Sequence, residues 1–235
     1  MKILALIPAR GGSKRLPEKN TKMLGELPLI AWTIKAALAS GVCTDVMVST
    51  DDLAIAQVAR EHGANVPWLR PAELASDIAT SVDVAIHALD AYEKSSEVVD
   101  GLLLLQPTSP FRGAESIRNA VALFEASRGM HPVVSVSQAL AHPAWCFRAT
   151  AHGMAPFLGW RELQKRSQDL EPAWMLNGAI YVISPTRLRQ QKSFLTSDTM
   201  PLLMDDPSAA IDIDTASDFA QCEAVLSAQT GATFE

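Results

Sequence analysis

The sequence predicts an α/β fold: a single Rossmann-like domain built on a mainly parallel sheet. Short apolar runs alternate with amphipathic segments along most of the 235 residues, which is typical of parallel strands covered by helices on both faces. The 48% of hydrophobic and 20% of charged residues suffice for one substantial core but hardly for two. We therefore expect one domain over residues 1–235, interrupted by an inserted excursion at residues 139–176.

The first half of the chain follows this alternation closely. Residues 3–7 form a continuous apolar run, the pattern of a strand buried on both faces. Residues 28–40 then place apolar side chains at helical spacing, and Gly41 is suited to end that helix. The next predicted elements are a strand at 46–50, helices at 52–62 and 82–92, and a buried strand at 101–105.

The alternation stops in the second half of the chain. A helix at 114–126 and a strand at 133–136 continue it, but residues 142–172 contain scattered proline, tryptophan and charges without clear periodicity. A compact domain rarely contains so long a loop without structure, so we interpret this region as an excursion that carries substrate or partner contacts. Strands at 179–183 and 210–213 and a helix at 216–226 complete the prediction.

Composition excludes several classes of protein. A net charge of -6 argues against general binding to nucleic acid or to anionic membranes. The three cysteines lie far apart without a C-x-x-C pair, which favours a reducing compartment over a disulfide framework. The first apolar run ends at Pro8, too early for a signal-peptide core, and no run approaches the roughly 20 apolar residues of a membrane span. We expect a cytoplasmic, soluble protein.

A basic, glycine-containing loop follows the first predicted strand. Before Gly25 it contains a single acid, Glu18, against five cations: Arg10, Lys14, Arg15, Lys19 and Lys22. Open α/β folds bind ligands at this carboxyl edge of the sheet, and Gly11 and Gly12 let the backbone approach a ligand closely. The loop is neither a Walker motif nor a dinucleotide fingerprint. It predicts a polyphosphate site; the alternative is a solvated turn-rich loop.

Two carboxylates near the C-terminus form a candidate metal site. Asp212 and Asp214 are two residues apart in a strand-like run, so both side chains should face the same side. Magnesium binds through one or two carboxylates together with water and substrate phosphates. The alternative is that Asp214 or Thr215 only caps the following helix, with Asp218 completing a capping box, and the two roles can coexist.

Three further polar residues lie near predicted element ends. Gln106 follows the strand at 101–105, where Pro107 and Pro110 stiffen the chain; the alternative is an ordinary strand-end turn. Arg70 and Ser81 are candidates for ligand contacts, although Arg70 could be a surface cation and Ser81 a helix-start residue.

The loop from Ile7 to Asn20 resembles the signature of the acylneuraminate cytidylyltransferases, the enzymes that make CMP-sialic acid and its bacterial relatives. Five more segments resemble that family in the same order: Ser49–Asp52, Arg70–Asp77, Leu104–Arg112, Asn177–Tyr181 and Ile211–Thr215. The set covers nearly the whole chain. The resemblance implies a nucleotidyltransferase that uses CTP, Mg²⁺ and an acidic nine-carbon sugar of the sialic, legionaminic or pseudaminic type.

The resemblance also implies roles for individual residues. It assigns Asp212 and Asp214 to the metal ion. Nucleotide binding falls to the loop and to the base-contacting positions: Arg10, Gly11, Gly12, Ser13, Lys14, Lys19, Asn20, Arg70 and Ser81. Sugar binding falls to Gln106, Arg166, Gln168, Asn177, Tyr181 and Phe194. Arg10, Lys19 and Asp214 are the expected catalytic residues.

The excursion resembles the region by which family members pair into homodimers. One departure concerns the two adjacent aromatics that the family often lends to the partner's sugar pocket, because this chain has Phe194-Leu195 there. Two alternatives stay open: a cytidylyltransferase for the eight-carbon sugar 3-deoxy-manno-octulosonate, and a non-catalytic nucleotide-binding relative. Gly11-Gly12 and Lys19-Asn20 favour the nine-carbon group over the eight-carbon one.

Overall fold

The computed structural model describes residues 1–231. Its strands are β1 (Ile3–Pro8), β2 (Met23–Leu24), β3 (Leu27–Pro28), β4 (Asp45–Ser49), β5 (Gly101–Leu105), β6 (Val133–Gln138), β7 (Phe147–Thr150), β8 (Gly153–Pro156), β9 (Trp174–Ile183) and β10 (Met200–Leu203). Its α-helices are α1 (Leu29–Ser40), α2 (Leu53–Glu61), α3 (Ser81–Ser95), α4 (Ala114–Ala126), α5 (Trp160–Leu163), α6 (Pro185–Gln191) and α7 (Ala216–Gly231).

Six strands form the central sheet in the order β10-β6-β9-β5-β1-β4. The pairs of β1 with β4, β1 with β5 and β10 with β6 are parallel, which confirms a mainly parallel sheet. Strand β9 is antiparallel to both of its neighbours. The chain leaves β6 and returns into β9 at the same edge of the sheet, where Gln138 pairs with Trp174. A parallel strand would need a crossover to the opposite edge, so this direct return makes β9 antiparallel to β6.

Helices cover both faces of this sheet. Strand β1 sends alternate side chains, such as Ile3 and Leu4, into two separate core clusters. Helices α1, α2 and α4 pack on one face, and α3 and α6 pack on the other. A third cluster joins α7, through Phe219, to the loop after β1, through Leu16. The alternating apolar runs of the sequence therefore correspond to a sheet buried on both faces.

The structure differs from the sequence prediction after residue 183. The predicted strand at 210–213 is wrong: Pro207–Ala210 form a 3-10 helix, and the chain beyond it is extended without joining a sheet. Strand β10 and helix α6 were not predicted. Pro201 lies within β10 and argues against a strand in sequence reasoning, yet β10 is an edge strand, where a missing backbone donor is tolerated.

The excursion contains more structure than its sequence indicates. It begins with a 3-10 helix at Pro143–Trp145, continues into the β7–β8 hairpin and includes the short helix α5. Strand β9 begins at Trp174, inside the predicted excursion range, because it extends past the sheet core to pair with the end of β6. None of the helices in residues 1–231 has the length and apolar character needed to cross a bilayer.

Candidate active site

A cleft of about 580 Å³ opens beside the carboxyl ends of β1 and β5. One side is lined by predicted nucleotide contacts: Arg10, Ser13, Lys14, Lys19, Asn20, Arg70 and Ser81. The same cleft is also lined by Gln106, Asp212 and Asp214. Residues separated by about 200 positions in the sequence therefore share one concave surface at the edge where open α/β folds bind ligands.

The basic loop is fastened to the sheet by its backbone. The Gly11 amide donates to Asp51 Oδ1 at 3.2 Å, and Asn20 Nδ2 donates to the Arg10 carbonyl at 3.1 Å. A Cβ atom at Gly11 would lie 2.6 Å from Asp52 Oδ2, so this position excludes a side chain. Gly11 and Gly12 thus shape the loop, and neither lines the cleft.

Asp77 bridges two cations of the loop. Arg10 Nη1 contacts Asp77 Oδ1 at 2.8 Å, and Lys14 Nζ contacts Asp77 Oδ2 at 2.5 Å. The hydrogen bond from Lys14, followed by that from Arg10, lowers the pKa of Asp77 below its ordinary value. A carboxylate thus neutralises two of the cations that face the cleft.

Asp214 pairs with two more cations of the same loop. Arg15 Nη2 contacts Asp214 Oδ2 at 2.7 Å, and Lys19 Nζ contacts Asp214 Oδ1 at 3.1 Å. Lys19 Nζ also donates to the Ile213 carbonyl at 2.7 Å. These contacts join the basic loop directly to the acidic pair.

Asp212 lies in surroundings that disfavour its ionised form. Burial of its carboxyl raises its pKa although the residue as a whole keeps solvent access, and the nearby charge of Asp214 adds to this, while a hydrogen bond with Thr108 opposes it. A cation bound here would relieve both penalties. Among residues 1–231 no group of three or more His, Cys, Asp or Glu residues forms a metal site, but magnesium needs only one or two carboxylates when phosphates supply other ligands. The donor set therefore fits Mg²⁺.

The helix-capping interpretation of the acidic segment is also confirmed. The Thr215 hydroxyl accepts from the Asp218 amide at 3.3 Å, and Asp218 Oδ2 accepts from the Thr215 amide at 2.7 Å. Asp218 therefore fixes the start of α7. The Asp214 amide also donates to Asp218 Oδ2 at 3.0 Å, but the carboxylates of Asp212 and Asp214 take no part in the cap, and both residues line the cleft.

Arg70 and Ser81 both line the cleft. Arg70 is 6% exposed, and its Nη2 donates to the Ser49 carbonyl at 2.7 Å, so it is not a surface cation. Thr80 is the cap of α3 and shares a capping box with Asp83. Ser81 is the first residue of α3, and its side chain makes no capping hydrogen bond.

Five predicted sugar contacts lie outside the cleft. Asn177 is buried between strands, where its amide bonds the hydroxyls of Ser135 and Ser137. The other four lie elsewhere: Tyr181 packs on Phe194 with ring centroids 5.5 Å apart, and Arg166 and Gln168 are exposed on the excursion. Burial, with a smaller contribution from the charge of Asp212, raises the pKa of Tyr181.

Sequence reasoning assigned no role to Asp77 or Thr108, and both line the cleft. Each lies in a segment that resembles the family, Asp77 in Arg70–Asp77 and Thr108 in Leu104–Arg112, and this position in the motif is their signal in the sequence. Their contacts could not be predicted, because Asp77 meets residues 63 and 67 positions away.

Known proteins of similar sequence show the family of this chain. A family model described as cytidylyltransferase matches residues 4–142. The CMP-N,N'-diacetyllegionaminic acid synthase of Legionella pneumophila is 44% identical over 96% of this chain and 97% of that protein. The N-acylneuraminate cytidylyltransferase of Streptococcus agalactiae serotype V is 37% identical over 93% of this chain, which spans 52% of that longer protein.

A solved structure shares the fold at low sequence identity. CMP:2-keto-3-deoxy-manno-octonic acid synthetase complexed with CTP superposes with a TM-score of 0.72 at 16% identity, covering 97% of this chain and 100% of that chain. This likeness concerns the fold alone. The family model spans more than half of the chain, and the Legionella relative is similar almost end to end; the chain belongs to the cytidylyltransferase family.

Proposed function

We propose that this chain transfers CMP from CTP to a nine-carbon acidic 2-keto sugar and releases pyrophosphate. The observation that carries the proposal is the meeting of the basic loop with Asp212 and Asp214 in one cleft. The names of the Legionella and Streptococcus relatives, which refer to legionaminic acid and to N-acylneuraminate, support a nine-carbon acidic sugar.

In this proposal the basic loop binds the triphosphate. Arg10 and Lys14 exchange Asp77 for phosphate oxygens. The planar guanidinium of Arg10 can donate two parallel hydrogen bonds, whereas the Lys14 ammonium contributes a single localised charge. Lys19, also in the loop, contacts Asp214 and would lie close to the α-phosphate. The cytosine base would occupy the wall formed by Asn20, Arg70 and Ser81, as the family resemblance implies.

Asp212 and Asp214 are the residues that would hold Mg²⁺. When bound, the ion would add positive charge beside the α-phosphate and acidify the attacking hydroxyl. The protein's own part is to align the C2 hydroxyl of the sugar with the α-phosphorus, opposite the leaving pyrophosphate. Cations beside the triphosphate favour the developing negative charge, so most of the catalysis is positioning and electrostatics.

Sugar recognition is proposed to involve Gln106 and a second copy of the chain. Gln106 lines the same cleft as the acidic pair. Large apolar side chains are exposed on the excursion, among them Phe157, Trp160 and Trp174, and a second copy would bury them. Arg166 and Gln168 lie on the same excursion and would reach a sugar carboxylate only through such pairing.

The proposal is tested with purified protein, CTP and Mg²⁺ against a panel of acidic sugars. We expect pyrophosphate release and a CMP-sugar product with at least one of N,N'-diacetyllegionaminate, N-acetylneuraminate and pseudaminate, and none without sugar. A clear preference for 3-deoxy-manno-octulosonate would assign the eight-carbon activity instead. Binding of CTP without turnover of any sugar would identify a non-catalytic relative.

A further inference from the structure

A fully buried arginine holds the turn between β5 and α4. Arg112 is 1% exposed and its guanidinium contacts three elements of the fold. It donates to the carbonyl of Gln106 at 3.1 Å, to the carbonyl of Ala179 at 2.7 Å and to the hydroxyl of Thr33 at 2.6 Å. The end of β5, strand β9 and helix α1 therefore meet at one side chain.

Burial of a charged group at the position of Arg112 is energetically unfavourable. Burial lowers the pKa of its guanidinium to about 9, so it stays charged at neutral pH, and no neighbouring acid offsets its burial within residues 1–231. A buried cation without a counterion is unfavourable unless hydrogen bonds satisfy it, and its Nε still has no partner. An apolar side chain would fill the space at lower cost, which indicates that the bonds to the turn matter more than packing.

The turn held by Arg112 supports two functional parts of the cleft, the Gln106 amide and the acidic pair. Gln106 lines the cleft, and its backbone carbonyl accepts a hydrogen bond from Arg112. Two residues later, the Thr108 carbonyl accepts from the Ile213 amide at 2.9 Å, and the Thr108 side chain hydrogen-bonds Asp212. Displacement of this turn would therefore move the side-chain amide of Gln106 together with Asp212 and Asp214.

We propose that Arg112 is a positioning residue that sets the place of Gln106 relative to Asp212 and Asp214. Arg112 does not line the cleft and acts through the turn at residues 106–112. The expected change in kinetics rests on the proposed function, whereas the expected change in the structure of the turn does not. The predicted nucleotide contacts are held by other hydrogen bonds, from Asn20 to the basic loop and from Arg70 to β4. Changes at Arg112 should therefore leave CTP binding unchanged.

The first test compares Arg112→Lys with wild type by steady-state kinetics and by calorimetric CTP binding. Lysine keeps the charge but loses the planar fork, so the three acceptors cannot all keep their geometry. We expect kcat to fall by roughly 10- to 100-fold and the sugar KM to rise, since misplacement by about 1 Å has such effects. CTP affinity should stay within about twofold. Arg118→Lys is the matched control, because Arg118 lies on α4 and bonds a backbone carbonyl at the surface.

A second pair of variants covers the case in which Arg112→Lys folds poorly. Thr33→Val removes the hydroxyl that accepts from Arg112 and itself donates to the Gln106 carbonyl at 3.4 Å, and Thr33→Ser keeps it. Hydrogen exchange followed by mass spectrometry then measures the turn without any substrate. We expect faster exchange in Arg112→Lys and Thr33→Val at residues 106–112 and 211–214 together, with residues 45–51 unchanged and Thr33→Ser like wild type.

The outcomes separate this inference from the proposed function. Failure of wild type to turn over any acidic sugar would refute the proposed function, and hydrogen exchange would still decide the role of Arg112. Coupled loosening of the two segments supports positioning. Unchanged exchange in both variants, or loosening spread over the whole protein with CTP affinity lost in parallel, would overturn it and leave Arg112 a general stabiliser.

Discussion

Two aspartates pair with the cations of the basic loop. Asp77 holds Arg10 and Lys14, and Asp214 holds Lys19 and Arg15. The two acids differ in their proposed fates. Asp214 lies beside Asp212 and would be shared with the metal ion, whereas Asp77 has no such partner and would have to yield to phosphate.

Asp77→Asn should therefore tighten CTP binding. Removing the competing carboxylate frees Arg10 and Lys14 for the triphosphate, and exposed ion pairs of this kind correspond to an effect of roughly two- to fivefold. Calorimetric titration with CTP measures the change, with Glu73→Gln as the control from the same segment. Weaker binding by Asp77→Asn would show that Asp77 assists the nucleotide instead of competing with it.

Asp214→Asn should remove turnover while the fold persists. Loss of one of two carboxylates weakens the proposed metal site, and a metal ion supplies several kcal/mol to such reactions, so we expect a fall of about 100-fold or more. Pyrophosphate release with Mg²⁺ measures it, and circular dichroism checks the fold. Asp206→Asn, an exposed N-cap where asparagine also caps well, should behave as wild type. Normal release by Asp214→Asn would exclude its catalytic role.

At the level of elements, β9 is shaped by a polar network that sequence reasoning interpreted differently. Asn177 precedes Gly178, whose φ of 75° coincides with a register shift between β6 and β9. The Asn177 amide fills this irregularity by bonding Ser135 and Ser137. A motif that suggests ligand binding in the sequence here also fastens two strands beside the cleft.

Asn177→Ala should destabilise the protein by about 2 kcal/mol, because it leaves buried hydroxyl and amide groups without partners. Urea unfolding measures the loss, with the exposed Asn119→Ala on α4 as control. An unchanged unfolding midpoint together with a raised sugar KM would instead support the sugar contact expected from the sequence.

Helix α6 is joined to the chain before β10 by Asp198. Arg187 Nη2 contacts Asp198 Oδ1 at 2.7 Å, and His131 Nδ1 lies 3.0 Å from Asp198 Oδ2. The Arg187 hydrogen bond is the main reason that the pKa of Asp198 lies well below its ordinary value. A lowered pKa in the folded state adds stability that is complete above the ordinary carboxyl pKa, about 4, and is lost as pH falls further.

Asp198→Asn should therefore lower the urea midpoint at pH 7, and the difference from wild type should shrink at pH 3. Unfolding curves at the two pH values measure this, with the exposed Asp205→Asn as control. An Asp198→Asn defect of equal size at both pH values would contradict the assignment to the ionised carboxylate.

At the scale of the molecule, the sequence predicts the elements that periodicity defines and misses those that tertiary context decides. The helix at 114–126 and the strand at 101–105 are confirmed to the residue, because their apolar patterns are long or continuous. Strand β10 was missed because it contains Pro201. The acidic segment at 211–215 has the sequence pattern of a strand, but its backbone bonds the turn at Thr108 instead of a neighbouring strand. In the site, the basic loop and the acidic pair meet as expected. The roles of Asp77 and Arg112 could not be predicted, because they depend on contacts with residues far away in the sequence.

The excursion makes a prediction about assembly. Sedimentation equilibrium should give twice the 25.3 kDa of one chain, because a second copy would cover the exposed apolar residues of the hairpin region. Phe157→Glu with Trp160→Glu should dissociate it, whereas Leu53→Glu, at an exposed apolar position on α2, should not. A wild-type monomer at all concentrations would exclude pairing through this surface.

The central claim is that the basic loop and the acidic pair serve one triphosphate. A crystal structure with CTP and Mn²⁺, using the anomalous signal of manganese, tests it most directly. We predict triphosphate oxygens on Arg10 and Lys14, Asp77 displaced, and the metal roughly 2.1 Å from oxygens of Asp212 or Asp214 and of the α-phosphate. A triphosphate bound away from this loop, or a metal ion with neither aspartate among its ligands, would contradict the account.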